Sequence, residues 1–484
     1  MNFVIRKIFL ILAISILISP VSAVLASSKH DVDSPTALYL PIISNGVSLA
    51  SAPQASALFF DLPSDEMNLA NGSFPVIWFG EVRNTENYVD VRVAYNREEL
   101  YLRLHVFDRR CWYDRYAPFD EPTQWDAAAI YLNLTGNVGS VPTPQTYRFV
   151  AQFDYYPKPP DETKTDVYRG NGSGWSPIEV PFTLISSYTG HEPNDDGDDR
   201  GWTAVIRIPF SSLGLQEMPN TGSIWGLSIV NYDRDDANGA TVDYKTWPRS
   251  PDFNQPASWG QLRFGYPTYN PPPGDPSGTT YIRQGLNNAI VSDASAGGYA
   301  VCGAGTDFWE TWGDTNESFY NDDLSDFNVQ NQGNVADWPC FSKVYVSFPL
   351  DQVPAGKKIL SATLKMHIWG AAGPYPKPGS LIHVYTISEP WNEFTLTWNN
   401  APYIERYIDQ TWVATITTDP GFPGIPVEWN VTSAVAESYN NGNSVDLVLY
   451  SSDNWRHSGK YFSSSNTGDW NAEGRPLLTI VWSD

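Results

Sequence analysis

Alternation between apolar and polar positions organises the chain. Val89, Val91, Val93 and Tyr95 alternate with Asp90, Arg92 and Ala94; after a turn at 96–99, Leu100, Leu102, Leu104 and Val106 alternate with Tyr101, Arg103, His105 and Phe107. Successive side chains of a strand point to opposite faces, so this stretch predicts a hairpin with one buried face. Strands are also predicted at 127–132, 147–154, 202–208 and 225–231, separated by clusters of Gly, Asn, Asp and Pro. The pattern returns at 344–348, 359–369, 381–387, 445–450 and 477–482. In 359–369, Leu360, Ala362, Leu364, Met366 and Ile368 share one face after the turn Pro354-Ala-Gly356. Two such series predict an all-β protein of two β-sandwich, jelly-roll-like domains.

The segments around these series set the expected organisation. An apolar run at 8–18 follows Arg6 and Lys7 and precedes Pro20, Ser22, Ala23 and Ala26. It falls short of the roughly 20 residues a membrane span needs, so 1–26 is expected to be a signal peptide cleaved after Ala23 or Ala26. No later apolar stretch is long enough to span, and the mature chain is expected to be secreted, with any cell-surface association made through partners. Residues 27–57, rich in Ser, Ala and Pro, are expected to be a flexible tether. Five prolines within 266–278 predict a Pro-rich linker between a domain at 58–265 and a domain at 279–484.

Charge then removes one class of partner. With 30 basic and 54 acidic residues the net charge is -24, which repels phosphate backbones and excludes nucleic acid. The three cysteines form no C-x-x-C pair. Cys302 and Cys340 bracket a polar segment and are expected to be bridged, leaving Cys111 as a buried free thiol. In Asn194-Asp-Asp-Gly-Asp-Asp199, the carboxylates of Asp195, Asp196, Asp198 and Asp199 are hard oxygen ligands of the kind Ca2+ takes, with a solvated acidic loop as the plainer alternative. Asp233, Asp235 and Asp236 form a second cluster open to the same two readings.

No G-x-S-x-G, H-E-x-x-H, P-loop or C-x-x-C-H motif is present. A non-covalent haem site would draw on His105, His191 and Met218, but His105 beside Tyr101 and Arg103 reads as an ordinary exposed histidine on a strand.

Two stretches resemble known families. Val91-Arg-Val-Ala-Tyr-Asn-Arg-Glu-Glu-Leu-Tyr-Leu-Arg-Leu-His-Val-Phe-Asp108, Trp125-Asp126, Trp202-Thr-Ala-Val-Ile-Arg-Ile-Pro-Phe-Ser-Ser-Leu-Gly214 and Trp225-Gly-Leu-Ser-Ile-Val-Asn231 resemble carbohydrate-binding module family 9 and its DOMON-like relatives over about 58–265. Ser342-Lys-Val-Tyr-Val-Ser-Phe-Pro-Leu350, Trp391-Asn-Glu-Phe-Thr-Leu-Thr-Trp-Asn-Asn-Ala-Pro402, Val427-Glu-Trp-Asn-Val-Thr-Ser433 and Gly474-Arg-Pro-Leu-Leu-Thr-Ile-Val481 resemble the DNRLRE-type domain, grouped with carbohydrate-binding module family 96, over about 279–484. The insertion between Cys302 and Cys340 departs from that second pattern. The resemblances imply sandwich modules that bind polysaccharide without catalysis, and the first group also includes haem-binding members.

Pyranose rings stack their C–H faces on flat aromatic side chains while their hydroxyls seek amide and carboxylate partners. The chain has 19 Trp, 27 Tyr and 22 Phe. Those in predicted loops are the expected carbohydrate contacts: Trp112, Tyr113, Tyr116, Trp175 and Trp247 in the first domain, and Trp309, Trp312, Trp338 and Trp455 in the second. Trp202, Trp225, Trp398, Trp429 and Trp482 fall in or beside strands and are expected in the core. Thr395, Thr397 and Asn399, around Trp398, could equally fix a turn. The alternatives to a binding protein are a structural or adhesive surface protein, whose tryptophans would be buried, and a glycoside hydrolase or polysaccharide lyase, which would show paired carboxylates in a cleft.

Overall fold

The computed structural model describes residues 52–61, 74–114, 121–154, 165–238, 243–297, 307–316, 326–331, 340–452 and 458–484. Residues Ala50–Asp484 form one compact unit, and the expected signal peptide and the tether up to residue 51 lie outside the described residues. Residues 54–57, expected in the tether, instead belong to strand Gln54–Phe59, which runs parallel to Gly260–Phe264 and then to Glu86–Tyr95. Its inward residues Ala55 and Ala57 are too small to stand out as an apolar period, yet both are buried.

The strands form two sandwiches. In the N-terminal one, a sheet of Ala127–Asn133, Thr146–Gln152, Thr165–Gly170, Ile224–Asp233, Asp243–Trp247 and Gly260–Phe264 packs on Val76–Arg83, Glu86–Tyr95, Glu99–Phe107, Thr183–Thr189 and Gly201–Pro209. The C-terminal one sets Ser292–Gly297, Ser342–Phe348, Ser380–Thr386, Arg406–Val413 and Val445–Ser451 against Gly278–Arg283, Asp326–Val329, Lys358–Ala371, Ile425–Asn430, Lys460–Ser463 and Leu477–Ser483. Among the described residues the one α-helix is Thr432–Asn441, stopped by Gly442 at φ 70°, a conformation glycine adopts without strain.

The predicted hairpin forms, Glu86–Tyr95 with Glu99–Phe107, but both of its faces are buried. Val89, Val91, Val93 and Leu102 fill the N-terminal core, while Tyr88 and Phe107 on the other face join a continuous aromatic layer with the C-terminal sandwich. Ring centroids lie 5.6 Å apart for Trp78–Tyr385, 5.5 Å for Trp78–Tyr450, 4.8 Å for Tyr88–Trp398 and 5.3 Å for Phe107–Phe341. His105, expected to be exposed, is buried in this layer, because a second module covers the face that a lone sandwich would leave in water.

Some polar groups along the layer find partners across it. Strand Val76–Arg83 lies at the edge of its sheet and pairs only with Glu86–Tyr95. Its outward backbone groups are met by side chains of the other module: Val76 N–H donates to Tyr385 Oη and Gly80 N–H to Tyr403 Oη, each at 2.8 Å. Asn399 accepts from Val82 N–H at 2.8 Å and donates back to its carbonyl at 3.2 Å. Gly80, at φ 85°, sits at a register break where a Cβ would lie 2.0 Å from the Asn87 carbonyl oxygen, so only glycine fits.

Asp90 accepts from Tyr88 Oη, Tyr450 Oη and Asn331 Nδ2. Beside it the Lys343 ammonium lies 3.8 Å from the Trp398 ring and within 5.3 Å of Trp78, Tyr88 and Tyr450. Its burial pushes the Lys343 pKa well below the lysine value, opposed by Asp90. The Pro-rich segment is held too, through Tyr269 Oη donating to the Ile359 carbonyl and Tyr266 Oη accepting from Gln410.

Two expectations follow. Trp78→Ala removes an indole that both modules touch, and is expected to cost about 3–5 kcal/mol. Chemical denaturation followed by tryptophan fluorescence and by circular dichroism should show one coincident transition, in wild type and variant alike; separate transitions would show that the modules fold independently. The second concerns pH. Burial and the Arg92 charge lower the His383 pKa from 6.5 to about 3. A base with a depressed folded pKa contributes stability above its unfolded pKa and loses it as pH falls below that value. Between pH 7 and pH 5 the loss from His383 is about 2 kcal/mol, and His383→Gln should make the denaturation midpoint correspondingly less acid-sensitive over that interval.

Candidate functional site

Trp175 is the one expected carbohydrate contact, among those described, that keeps an open surface. Trp112 and Tyr113 are buried, Trp247 is 0% exposed, and Trp309 and Trp312 pack against Phe308 and Trp398. Trp112, Tyr113, Trp309 and Trp312 lie in loops or turns, as expected, whereas Trp247 ends the strand Asp243–Trp247; all five rings fold inward onto core or interface and present no face to a ligand. Tyr116, Trp338 and Trp455 lie outside the described residues, as does Cys302. Cys111 is free and buried, and Cys340 is disulfide-bonded. Asn400 and Thr397 hydrogen-bond across a tight turn, while Asn399 serves the module interface.

The exposed aromatic surface lies elsewhere, on the C-terminal sandwich. Trp369, Phe422, Tyr461 and Trp470 form a continuous strip there, with centroids 6.5 Å apart for Trp369–Phe422, 5.5 Å for Trp369–Tyr461 and 4.6 Å for Phe422–Trp470. Phe422 is 58% and Trp470 71% exposed. Strand geometry places them. Lys358–Ala371 shifts register between Ile368 and Gly370 against Lys460–Ser463, and the extra residue at that irregularity is Trp369. Trp369 falls on the face opposite the core row Leu364, Met366 and Ile368, so alternation itself turns it outward. At Gly468 a Cβ would sit 2.8 Å from the Trp470 ring, so glycine lets the indole lie against the backbone.

The strip has a polar rim. Lys377 Nζ donates to Asp419 Oδ1 at 2.8 Å and lies 4.6 Å from the Tyr375 ring centroid. Hydrogen bonds from Lys377 and Tyr375 lower the Asp419 pKa. An apolar platform edged by a fixed carboxylate, ammonium and phenol can stack on a sugar ring and bond its hydroxyls. Phe422 and Trp470 escaped the sequence reading although both sit in Gly-rich loop sequence, Gly421-Phe-Pro-Gly424 and Gly468-Asp-Trp470.

A second aromatic surface covers the outer face of the N-terminal sandwich. Trp175 lies parallel to Trp259 at 6.5 Å and donates from Nε1 to Asn254. Phe253 stacks on Tyr131 at 4.9 Å, and the Arg148 guanidinium lies 5.6 Å from Tyr131 and 5.0 Å from Tyr168.

The carboxylates of the acidic loop are each engaged by neighbours. Asp198 accepts from Arg109 at 2.8 Å, Asp196 pairs with Arg110 at 3.4 Å, and Asp195 contacts His191 at 2.9 Å. Asp199 turns inward to accept from the Cys111 N–H and from Tyr188 Oη. The four carboxylates expected to share an ion therefore face separate partners. Deeper in the same sandwich Asp108, Asp126 and Asp233 are buried together, with Asp235 beside them. Burial raises the Asp108 pKa to about 8 and the Asp235 pKa to about 6, and raises Asp126 and Asp233 well above the carboxylate value, with mutual repulsion adding to it. The buried three sit where no glycan chain reaches.

Comparison with known proteins places these surfaces in context. Residues 320–478, which include the whole aromatic strip, match the model of carbohydrate-binding module family 96. Two solved structures of a carbohydrate-binding module of family 9 from Caldicellulosiruptor kristjanssonii are similar to this chain. The cellotriose complex is 13% identical and the glucose complex 12%; each covers 46% of this chain and 100% of its own, with a TM-score of 0.30. No curated protein matches the chain.

Proposed function

We propose that this is an exported, non-catalytic protein that binds polysaccharide at a cell surface or within a secreted carbohydrate-degrading assembly. The observation that carries the reading is the strip of exposed Phe422 and Trp470 with half-buried Trp369 and Tyr461, inside the segment that matches a carbohydrate-binding family. Large exposed aromatic patches are unusual on a folded surface and mark binding sites. Here the rings stack on pyranose C–H faces while Asp419, Lys377 and Tyr375 at the rim bond hydroxyls. The outer face around Trp175 supplies a second, independent contact surface. Both surfaces belong to one compact unit, so a chain long enough to reach both binds with raised avidity and no linker to order.

Burial of Trp112, Trp247, Trp309 and Trp312 is the observation that favours the other reading, a structural or adhesive protein in which tryptophans serve packing alone. The two readings separate on one experiment. The mature protein is incubated with soluble and insoluble polysaccharides, and retention and released reducing ends are measured together. Retention without release is expected. Trp470→Ala and Phe422→Ala should each weaken retention about tenfold, the loss of roughly 1.4 kcal/mol of stacking, with an unchanged melting temperature because both rings are exposed. Release of sugar would make the protein a hydrolase or lyase, and no retention on any glycan would leave the structural reading.

A further inference from the structure

We propose that the ε-amine of Lys343 and the side-chain amide of Asn331 condense into an intramolecular isopeptide bond inside the aromatic layer, with Asp90 relaying the proton. Strand pairing brings the two residues together. Gln330 and Ser342 exchange both backbone hydrogen bonds, Gln330 N–H to the Ser342 carbonyl at 3.1 Å and Ser342 N–H to the Gln330 carbonyl at 2.9 Å. In such an antiparallel pair Asn331 and Lys343 lie diagonally across the shared rung, at a separation of about 7–8 Å between backbones. An asparagine side chain and an extended lysine together cover that distance. Both residues are 0% exposed, so no bulk water holds the amine in its hydrated, charged form.

The reaction needs an uncharged amine, a fixed amide and a proton carrier, and the surroundings of Lys343 supply each. Its Nζ has no hydrogen-bond partner and lies 3.8 Å from the Trp398 ring centroid, 4.5 Å from Trp78, 4.8 Å from Tyr88 and 5.3 Å from Tyr450. Burial among these rings holds the Lys343 pKa well below the lysine value, with Asp90 the charge that opposes it. The uncharged form carries the nucleophilic lone pair. Asn331 Nδ2 donates to Asp90 Oδ2 at 3.0 Å, and the hydroxyls of Tyr88 and Tyr450 donate to the same carboxylate at 2.8 and 2.9 Å. These bonds hold Asp90 against the nitrogen that must leave. In the step, Lys343 Nζ attacks Asn331 Cγ and the Nζ–Cγ bond forms. A proton passes from Nζ to Asp90 and on to Nδ2, the Cγ–Nδ2 bond breaks, and ammonia departs. Nothing is oxidised or reduced, and Asp90 ends as it began. The product is a neutral amide, which burial penalises far less than an ammonium. It pins the segment after strand Asp326–Val329 to strand Ser342–Phe348, beside Asp90 of the other module.

The test reads covalent mass on the full chain. The folded protein is denatured, reduced and cut with chymotrypsin, whose sites include Phe341 between the two residues, and the peptides are sequenced by mass spectrometry. One branched species carrying both Asn331 and Lys343 is expected, lighter than the two peptides together by one ammonia, about 17 Da. Asn331→Asp should give the same branched species with loss of water instead, because a carboxyl acceptor yields the same amide. Lys343→Met should leave the Asn331 peptide linear. Asp90→Ala, with folding checked by circular dichroism, should lower the linked fraction roughly tenfold or more, since the proton then has no carrier. Separate wild-type peptides at full sequence mass overturn the inference, as does a link from Lys343 to the Asp90 peptide in place of Asn331. A folded Asp90→Ala chain that links as completely as wild type overturns the proton relay. Because the wild-type peptide map stands without any variant, a variant that fails to fold leaves the result decisive.

Discussion

The backbone edge of strand Val76–Arg83 is the constraint on which the rest depends. An unpaired sheet edge must find water, another strand or side chains, and buried N–H groups left unmet cost about 1–3 kcal/mol each. Here side chains of the other sandwich supply the partners: Tyr385, Tyr403 and Asn399 reach across the interface to Val76, Gly80 and Val82. Once those bonds are required, Trp78 must lie against Tyr385 and Tyr450, and the outer face of the hairpin becomes interior. The aromatic layer is thus the price of closing an edge, and it returns dispersion energy over a wide contact.

That arrangement explains where the remaining aromatic residues go. Rings near the interface, Trp309, Trp312 and Trp398, are drawn inward and serve packing. Rings on faces turned away from it stay in water, as the strip around Trp470 and the surface around Trp175 do. A sandwich whose inner face is its own core and whose second face docks on a neighbour keeps loops and remaining outer faces for ligands. The proposed glycan contacts occupy those remaining faces, and the buried acids occupy the sandwich end, where the two sheets run out of apolar residues.

Much of the architecture was legible in the chain. The period-two runs located the hairpin and most strands, because alternation follows from the pleat itself. Trp202, Trp225 and Trp429 are buried in strands as expected; Trp398 is buried too, but from a turn, and Trp482, in a strand, is only half-buried. The site was far less legible. Trp112 and Trp247 look like loop aromatics, yet whether a ring beside a turn points in or out depends on the turn's dihedral angles and on what lies opposite. In the acidic run 194–199, Asp198 and Asp196 pair with Arg109 and Arg110, 89 and 86 positions earlier, which no local pattern shows. The buried acids, by contrast, come from three places in the chain, and only Asp233 and Asp235 stand close enough in sequence to be seen as a cluster.

The sequence by itself determined the fold class, the two strand series and the strongly acidic net charge, because periodicity and net charge are sums over residues regardless of their partners. Tertiary structure alone decided which faces meet water. His105 and Arg92 read as solvent-facing until a second module covers them. Exposure is a property of pairs of surfaces, fixed only when residues hundreds of positions apart come into contact.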